Sequence, residues 1–210
     1  MVFVVAVDGP AGSGKSSVSR AAAQALGFGY LDTGAGYRAF TYHAMQLPGV
    51  ELQDLIDSFD YEISLTPDHQ HVLLGGEDIT EVIRHKEVAS EVSKYAKEPA
   101  VRQLQLRDAR NRVESSGLKG VVVEGRDITT VVFPNAELRV LLTASEEVRL
   151  QRRSLENTES QENLKARDQS DSKVVEFFAP AEGVALIDTS DLSFEQSVSA
   201  LTDLCKEVLG

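Results

Sequence analysis

The chain has 210 residues, which is enough for one α/β domain with a substantial core. Its formal net charge of −12 argues against a general nucleic-acid binder, and an anionic substrate would need a local cluster of arginines. The single cysteine, Cys205, excludes an internal disulfide, and no segment approaches the apolar length of a membrane span. We therefore expect a cytoplasmic protein that binds neither nucleic acid nor membrane. We also expect a monomer, because no sustained exposed apolar stripe is evident.

The first forty residues contain a phosphate-binding pattern in a suitable context. Residues 2–7 are apolar and β-branched, as in a buried parallel strand, and residues 17–26 have a helical rhythm that ends at Gly27. Between them lies G-x-x-x-x-G-K-[ST], whose glycines let backbone N–H groups turn toward a polyphosphate. Lys15 can reach the β- and γ-phosphates, and the Ser16 hydroxyl can bind Mg²⁺. The predicted ATP-binding residues are Gly9, Pro10, Ala11, Gly12, Ser13, Gly14, Lys15, Ser16 and Ser17.

The next elements predict an interruption of a strand–helix alternation. A short strand at 29–31 ends at Asp32-Thr33-Gly34, and a helix follows from about 35 to 45. Apolar and polar residues then alternate over 61–66, and after a turn residues 72–74 provide a return strand. We interpret this hairpin as part of a small insert at about 56–95.

The second half returns to alternating strands and helices. Buried strands are predicted at 120–124, 138–142 and 184–187, with helices from Pro99 to about Gly117 and from about 194 to 208. Thr143-Ala144-Ser145-Glu146 is typical of a capping box that opens another helix. The pattern predicts a single three-layer α/β/α domain over 1–210, with a parallel sheet. Its core would comprise 1–55, 96–155 and 174–210, and the polar stretch 156–173 would form a mobile lid.

Arginines recur where the ligands of such a sheet are expected, at the carboxyl ends of strands. Arg38 and Arg126 follow strand ends, whereas Arg102, Arg152 and Arg167 are weaker candidates, and each alone is more often a solvated surface residue. Guanidinium groups hold phosphate oxygens bidentately, as phosphoryl transfer requires. Asp127 could accept a hydrogen bond from a base amino group or form a salt bridge with Arg126.

Several segments together resemble the bacterial cytidylate kinases, which are CMP and dCMP kinases of the P-loop nucleoside monophosphate kinase family. The matching segments cover nearly the whole chain in the family's order: 8–16, 31–38, 83–84 with 87–89, 101–102, 124–128 with 130–134, and 167–168 with Asp171. The resemblance implies a P-loop NTPase fold and phosphoryl transfer from Mg·ATP to CMP or dCMP. The hairpin insert would be the family's monophosphate-side domain.

The resemblance also implies a role for each matching residue. Lys15, Arg126, Arg152 and Arg167 would be catalytic, and Ser16 would hold Mg²⁺. Arg38 and Arg126 would bind the CMP phosphate, and Ser93, Arg102 and Asp127 would recognise cytosine. Thr33, Tyr37 and Asp171 would lie near CMP, with Asp171 on the ribose.

The chain departs from the family pattern at four positions. Ser170, Lys173 and Val174 alter the lid, where the last arginine is missing, and Thr129 replaces a usual glycine. One alternative is a P-loop kinase for another small acceptor, either UMP or a non-nucleotide. A GTP-binding switch module is disfavoured, because the Asn-Lys-x-Asp and Asp-x-x-Gly patterns of such modules do not occur here.

Overall fold

The computed structural model describes residues 2–155 and 180–210. The strands of this part of the chain are β1 (Phe3–Asp8), β2 (Gly29–Asp32), β3 (Tyr61–Ile63), β4 (Val72–Leu74), β5 (Glu77–Asp78), β6 (Gly120–Gly125), β7 (Leu138–Thr143) and β8 (Ala185–Asp188). The helices are α1 (Lys15–Leu26), α2 (Thr33–Gln46), α3 (Leu52–Asp57), α4 (Lys86–Ala96), α5 (Pro99–Ser115), α6 (Glu146–Leu155) and α7 (Phe194–Leu209).

A five-stranded parallel sheet of order β2-β6-β1-β7-β8 forms the middle layer. Successive side chains of β1 point to opposite faces, as the period of a strand requires. Val5 and Val7 pack with residues of α1 and α7, whereas Val4 and Ala6 pack with residues of α2 and α5. Both faces of the sheet are therefore covered by helices, and the predicted three-layer α/β/α fold is confirmed.

A second, antiparallel sheet of order β3-β4-β5 follows α3. The predicted hairpin is confirmed as the β3–β4 pair, but the first strand ends at Ile63, and the short β5 after the Gly75-Gly76 turn was not predicted. The backbone N–H of Tyr30 in β2 donates to the carbonyl of Leu65, at 2.8 Å. This loop after β3 therefore covers the outer edge of the main sheet.

Two helix starts differ from the sequence prediction. The first helix begins at Lys15 rather than at 17, because Gly14 adopts a left-handed conformation (φ 87°) and lets the helix start directly after it. The predicted capping residue of α6 was two residues too early. Ser145, not Thr143, caps α6, since its hydroxyl accepts from the N–H of Val148 at 3.3 Å. Thr143 is instead the last residue of β7, paired with Asp188.

The predicted lid at 156–173 lies outside the described residues, and so do Arg167, Ser170, Asp171, Lys173 and Val174. The proposed bounds of the insert and the lid remain predictions. Among residues 2–155 and 180–210, no helix has the length and apolarity needed to cross a membrane.

Candidate active site

The carboxyl ends of three neighbouring strands bring the sequence motifs together. β2, β6 and β1 are adjacent, and their register places Asp32 beside Glu124 and Asp8 beside Gly125. The phosphate-binding loop follows Asp8, α2 begins after Asp32, and the Arg126-Asp127 turn follows Gly125. The three segments therefore lie at one edge of the sheet, where ligands of open α/β sheets bind.

The loop between β1 and α1 has the conformation that its glycines permit. Gly12 and Gly14 have φ angles of 77° and 87°, which other residues rarely adopt. Within the loop Pro10, Ala11 and Ser13 are buried, whereas Ser16 and Ser17 are exposed on the first turn of α1. The N-terminal end of α1 therefore faces a site that suits a polyphosphate, since helix N-termini attract anions.

Gly9 lies against β7, and a Cβ there would be 2.2 Å from the carbonyl oxygen of Leu142. A strand carbonyl cannot move away cheaply, so Gly9→Ala is expected to lower the free energy of unfolding by about 3 kcal/mol. Gly27→Ala is the matched control, since nothing lies within 4 Å of its Cβ and only its left-handed φ of 65° opposes it, at about 1 kcal/mol. Equal losses for the two variants in chemical denaturation would contradict this account.

Lys15 and Ser16 share one buried carboxylate. Glu124, the penultimate residue of β6, is 2% exposed; it accepts from the Ser16 hydroxyl at 2.8 Å and from the Tyr30 hydroxyl at 3.2 Å. Lys15 Nζ lies 3.7 Å from the other carboxylate oxygen. Burial raises the pKa of Glu124, although the positive charge of Lys15 opposes this shift. The Glu124 carboxylate thus contacts both Lys15, which is predicted to bind ATP, and Ser16, which is predicted to bind the metal.

Glu124 was not predicted as a site residue. An acidic residue at the end of an otherwise apolar strand, in Gly120-Val121-Val122-Val123-Glu124, was the available signal. Such a residue is costly to bury unless it has partners. In P-loop NTPases, the Ser or Thr of the loop and an acidic residue from a second strand both bind the metal ion.

The start of α2 contributes a second cationic group. Arg38 Nη2 lies 2.7 Å from Asp32 Oδ2, and Asp32 Oδ1 accepts from the N–H of Ala35, so that Asp32 caps the helix. Burial alone would raise the pKa of Asp32, but Arg38 and other nearby cations hold it below its usual value. Asp32 therefore stays ionised and positions Arg38 at the sheet edge.

Thr33 and Tyr37 lie one helical turn apart on α2. The Thr33 hydroxyl donates to the carbonyl of Glu124 at 2.9 Å, which ties α2 to β6. Burial raises the pKa of Tyr37 to about 12, so its hydroxyl remains protonated and can donate a hydrogen bond near neutral pH. Thr33 therefore lies beside Glu124, whereas the charged groups that act on Tyr37 are Arg102 and Asp127.

Asp127 pairs with Arg102 and not with Arg126, the partner considered from sequence. The guanidinium of Arg102, on α5, forms a close ion pair with the Asp127 carboxylate, and their side chains are 35% and 13% exposed. The structure thus brings together two of the three residues predicted to recognise the base. The third, Ser93, is exposed on α4, a helix that packs against α2. Arg126 is half-buried directly after β6.

Two arginines of helix α6 donate hydrogen bonds to backbone carbonyls of the phosphate-binding loop. Arg152 donates to the carbonyl of Ser13 at 3.2 Å and to both the hydroxyl and the carbonyl of Thr189. Arg149, which was not predicted as a site residue, is buried and donates to the carbonyl of Ala11 at 3.2 Å. Arg152 therefore contacts the backbone of the loop here. The remaining predicted residues, Arg167 and Asp171, lie outside the described part of the chain.

The sequence model of the cytidylate kinase family matches residues 5–207. The chain belongs to this family. The cytidylate kinase of Rhodococcus jostii (strain RHA1) is 41% identical over 224 residues, covering 99% of this chain and 96% of that protein. That of Mycobacterium leprae (strain Br4923) is 40% identical over 220 residues, covering 99% and 97%. The predicted resemblance and enzyme class are confirmed: the chain is a kinase, a transferase that acts on nucleotides.

A solved structure supports the fold independently. A gluconokinase from Sinorhizobium meliloti 1021 superposes with a TM-score of 0.53 at 16% identity, covering 99% of this chain and 95% of that one. At this identity the likeness concerns the architecture alone. It agrees with the central five-stranded parallel sheet flanked by helices.

Proposed function

We propose that this member of the cytidylate kinase family transfers the γ-phosphoryl group of Mg·ATP to CMP or dCMP, giving ADP and CDP or dCDP. The observation that carries the proposal is the ion pair between Arg102 of α5 and Asp127 of the turn after β6. This turn follows the strand that neighbours β1, whose end leads into the loop that presents Lys15 and Ser16. One edge of the sheet thus offers both a polyphosphate loop and a polar pair suited to a base.

The donor side would be held by the loop between β1 and α1. Its backbone N–H groups and Lys15 would bind the β- and γ-phosphates, with the N-terminal end of α1 adding positive potential. The hydroxyl of Ser16 and the carboxylate of Glu124, 2.8 Å apart, form an oxygen donor set that suits Mg²⁺. Bound there, Mg²⁺ would neutralise charge that develops on the transferring group.

The acceptor side would be held by α2, α5 and the turn after β6. Arg38 and Arg126 would bind the CMP phosphate, and Thr33 and Tyr37 would line the same side. Cytosine presents an amino donor where uracil presents a carbonyl acceptor. Asp127 would accept from that amino group, with Arg102 donating to the neighbouring ring acceptors and Ser93 adding a further contact. A uracil carbonyl would face the Asp127 carboxylate, so UMP would bind poorly.

The chemistry requires positioning and charge neutralisation more than proton transfer. The acceptor phosphate is already an anionic nucleophile, so no general base is needed at this edge. Arg152 would exchange contacts with the loop backbone for contacts with the phosphoryl group, and Arg167 and Asp171 would complete the site over the transferring group and the ribose. Closure over the nucleotides would exclude water, whose attack would hydrolyse ATP.

We also propose that the enzyme acts on free nucleotides as a monomer, and not on nucleic acid. The formal net charge of −12 opposes binding to a polyanion, and the arginines of the site are local.

The proposal is tested by ADP release from Mg·ATP with CMP, dCMP, UMP, AMP or no acceptor. Release with CMP and dCMP alone supports the reaction and the base assignment together. Release with UMP or another acceptor would retain the kinase but overturn Ser93, Arg102 and Asp127 as cytosine contacts. Release that does not depend on an acceptor, or none at all, would contradict the proposed reaction.

Asp127→Ala is expected to reduce the preference for CMP over UMP, as a ratio of kcat/KM values, about tenfold or more. The variant removes both the proposed acceptor for the cytosine amino group and the repulsion against uracil. Asp203→Ala, which removes an exposed carboxylate on α7, is the matched control and should leave the ratio unchanged. An unchanged ratio in Asp127→Ala would refute the role of Asp127 in base recognition.

A further inference from the structure

The carboxylate of Asp8 joins the phosphate-binding loop to the turn that carries Arg126 and Asp127. Asp8 is the last residue of β1, immediately before Gly9, and is 1% exposed. Its Oδ1 accepts from the N–H of Ile128 at 2.7 Å, and its Oδ2 accepts from the N–H of Thr129 at 2.9 Å and from the Thr129 hydroxyl at 2.6 Å. All three donors lie at the start of the π-helical turn Ile128–Val132.

These contacts satisfy groups that would otherwise be buried without partners. The first N–H groups of a helical turn have no intrahelical acceptor, and an ionised carboxylate is a strong acceptor for them. Burial raises the pKa of Asp8, while the bonds from Thr129 and Ile128 lower it and the nearby carboxylate of Asp127 adds to the rise. The cost of burying Asp8 is thus offset only while the turn stays in place.

The last residues of the same turn bind the backbone carbonyl of Asp127. The carbonyl of Asp127 accepts from the N–H groups of Val131 and Val132 at 2.9 and 3.1 Å. Arg110, on α5, donates to the carbonyls of Val131 and Val132, which attaches the turn to the helix that also carries Arg102. The backbone of Asp127 therefore has little freedom relative to either β1 or α5.

We propose that Asp8 and Thr129 are positioning residues for the acceptor, which set the place of Arg126 and Asp127 relative to the phosphate-binding loop. The inference rests on the proposed function, in which Arg126 and Asp127 contact CMP. Asp8 touches no substrate in this scheme; it acts through the turn. The Thr129 hydroxyl supplies a third bond to the Asp8 carboxylate, which a residue without a side-chain donor at this position could not make.

The decisive experiment compares Thr129→Val, Thr129→Ser and the parent enzyme. Valine nearly preserves the shape but removes the hydroxyl, and loss of one buried charge-assisted hydrogen bond is expected to raise KM for CMP about tenfold. KM for ATP should change less than twofold, because the loop itself is untouched. Serine keeps the hydroxyl and should restore KM for CMP to within about twofold of the parent value.

A merely structural role predicts a different outcome. Thr129→Val would then lower the melting temperature without changing the ratio of the two KM values or the preference for CMP over UMP, and that result would overturn the proposal. Equal kinetics in all three proteins would overturn it too. Asp8→Asn places an amide N–H₂ group opposite the N–H and hydroxyl donors of Thr129, so it is expected to raise KM for CMP more than Thr129→Val does. If Asp8→Asn does not fold, the comparison of the Thr129 variants still tests the proposal.

The parent enzyme separates this inference from the proposed function. If the parent phosphorylates UMP or another acceptor instead of CMP, the proposed function fails, and the Thr129 comparison applies to that acceptor with the same expected tenfold rise. If the parent binds no nucleoside monophosphate in calorimetry, both fail. If the parent uses CMP and Thr129→Val retains its KM, only the inference fails.

Discussion

Arg126→Ala is expected to lower kcat/KM for CMP by about 100-fold to 1000-fold. Arg126 lies half-buried directly after β6, at the sheet edge where Lys15 and Arg38 also lie. A guanidinium there can bind the acceptor phosphate in the ground state and the shared charge in the transition state. Alanine would remove a preorganised donor that water cannot replace in a closed site. Steady-state kinetics with CMP varied at saturating ATP measures the effect.

Two further variants make the result specific. Arg126→Lys keeps the charge but loses the planar fork, so it should recover only part of the activity. Arg107→Ala removes the same charge from an exposed position on α5, where the guanidinium bonds only to a carbonyl of its own helix among the contacts described, and should change kcat/KM less than about twofold. Near-normal turnover of Arg126→Ala, or an equal loss in Arg107→Ala, would refute the role of Arg126.

The fold was predictable because its signals are local. The valine-rich runs in β1 and β6 indicated strands buried on both faces, and their alternation with amphipathic helices determined the three layers. The phosphate-binding loop was predictable for the same reason, since its residues are consecutive. The short β5 was missed because two residues after a Gly-Gly turn carry no periodic signal.

The side-chain partners of the site were less predictable because they depend on tertiary contacts. Glu124 and Ser16 are 108 residues apart, and Arg102 and Asp127 are 25 apart, with no pattern in the sequence that links them. Asp127 follows Arg126 directly in sequence, yet it forms an ion pair with Arg102 on α5. The sequence could identify which residues follow strand ends, but their side-chain partners, such as Arg102 on α5, are determined by how the helices pack against the sheet.

Glu124→Gln is expected to lower activity about 10-fold to 100-fold and to raise the Mg²⁺ concentration needed for half-maximal rate. Glutamine keeps the shape and can still accept from the Ser16 hydroxyl, but it lacks the negative charge that strengthens the binding of Mg²⁺. Tyr30→Phe is the control, because it removes the 3.2 Å hydrogen bond to Glu124 and leaves the carboxylate in place. It should keep the Mg²⁺ requirement of the parent. A Glu124→Gln enzyme with unchanged Mg²⁺ dependence would contradict the assignment.

Glu124→Gln, which is expected to lower activity, should raise the stability of the folded chain at high pH. Burial raises the pKa of Glu124 despite the opposing charge of Lys15, so the folded chain holds this proton to a higher pH than the unfolded chain. Stability contributed by this group therefore falls as pH rises from the ordinary glutamate pKa through the raised value, and the penalty is complete above it. Glutamine does not titrate, so the melting temperature of Glu124→Gln relative to the parent is expected to rise as the pH increases above the ordinary glutamate pKa. If Glu124→Gln melts at a lower temperature than the parent at every pH, Glu124 stabilises the fold. If Glu124→Gln is more stable at high pH but has lost Mg²⁺-dependent activity, the buried charge of Glu124 destabilises the fold and is needed for catalysis.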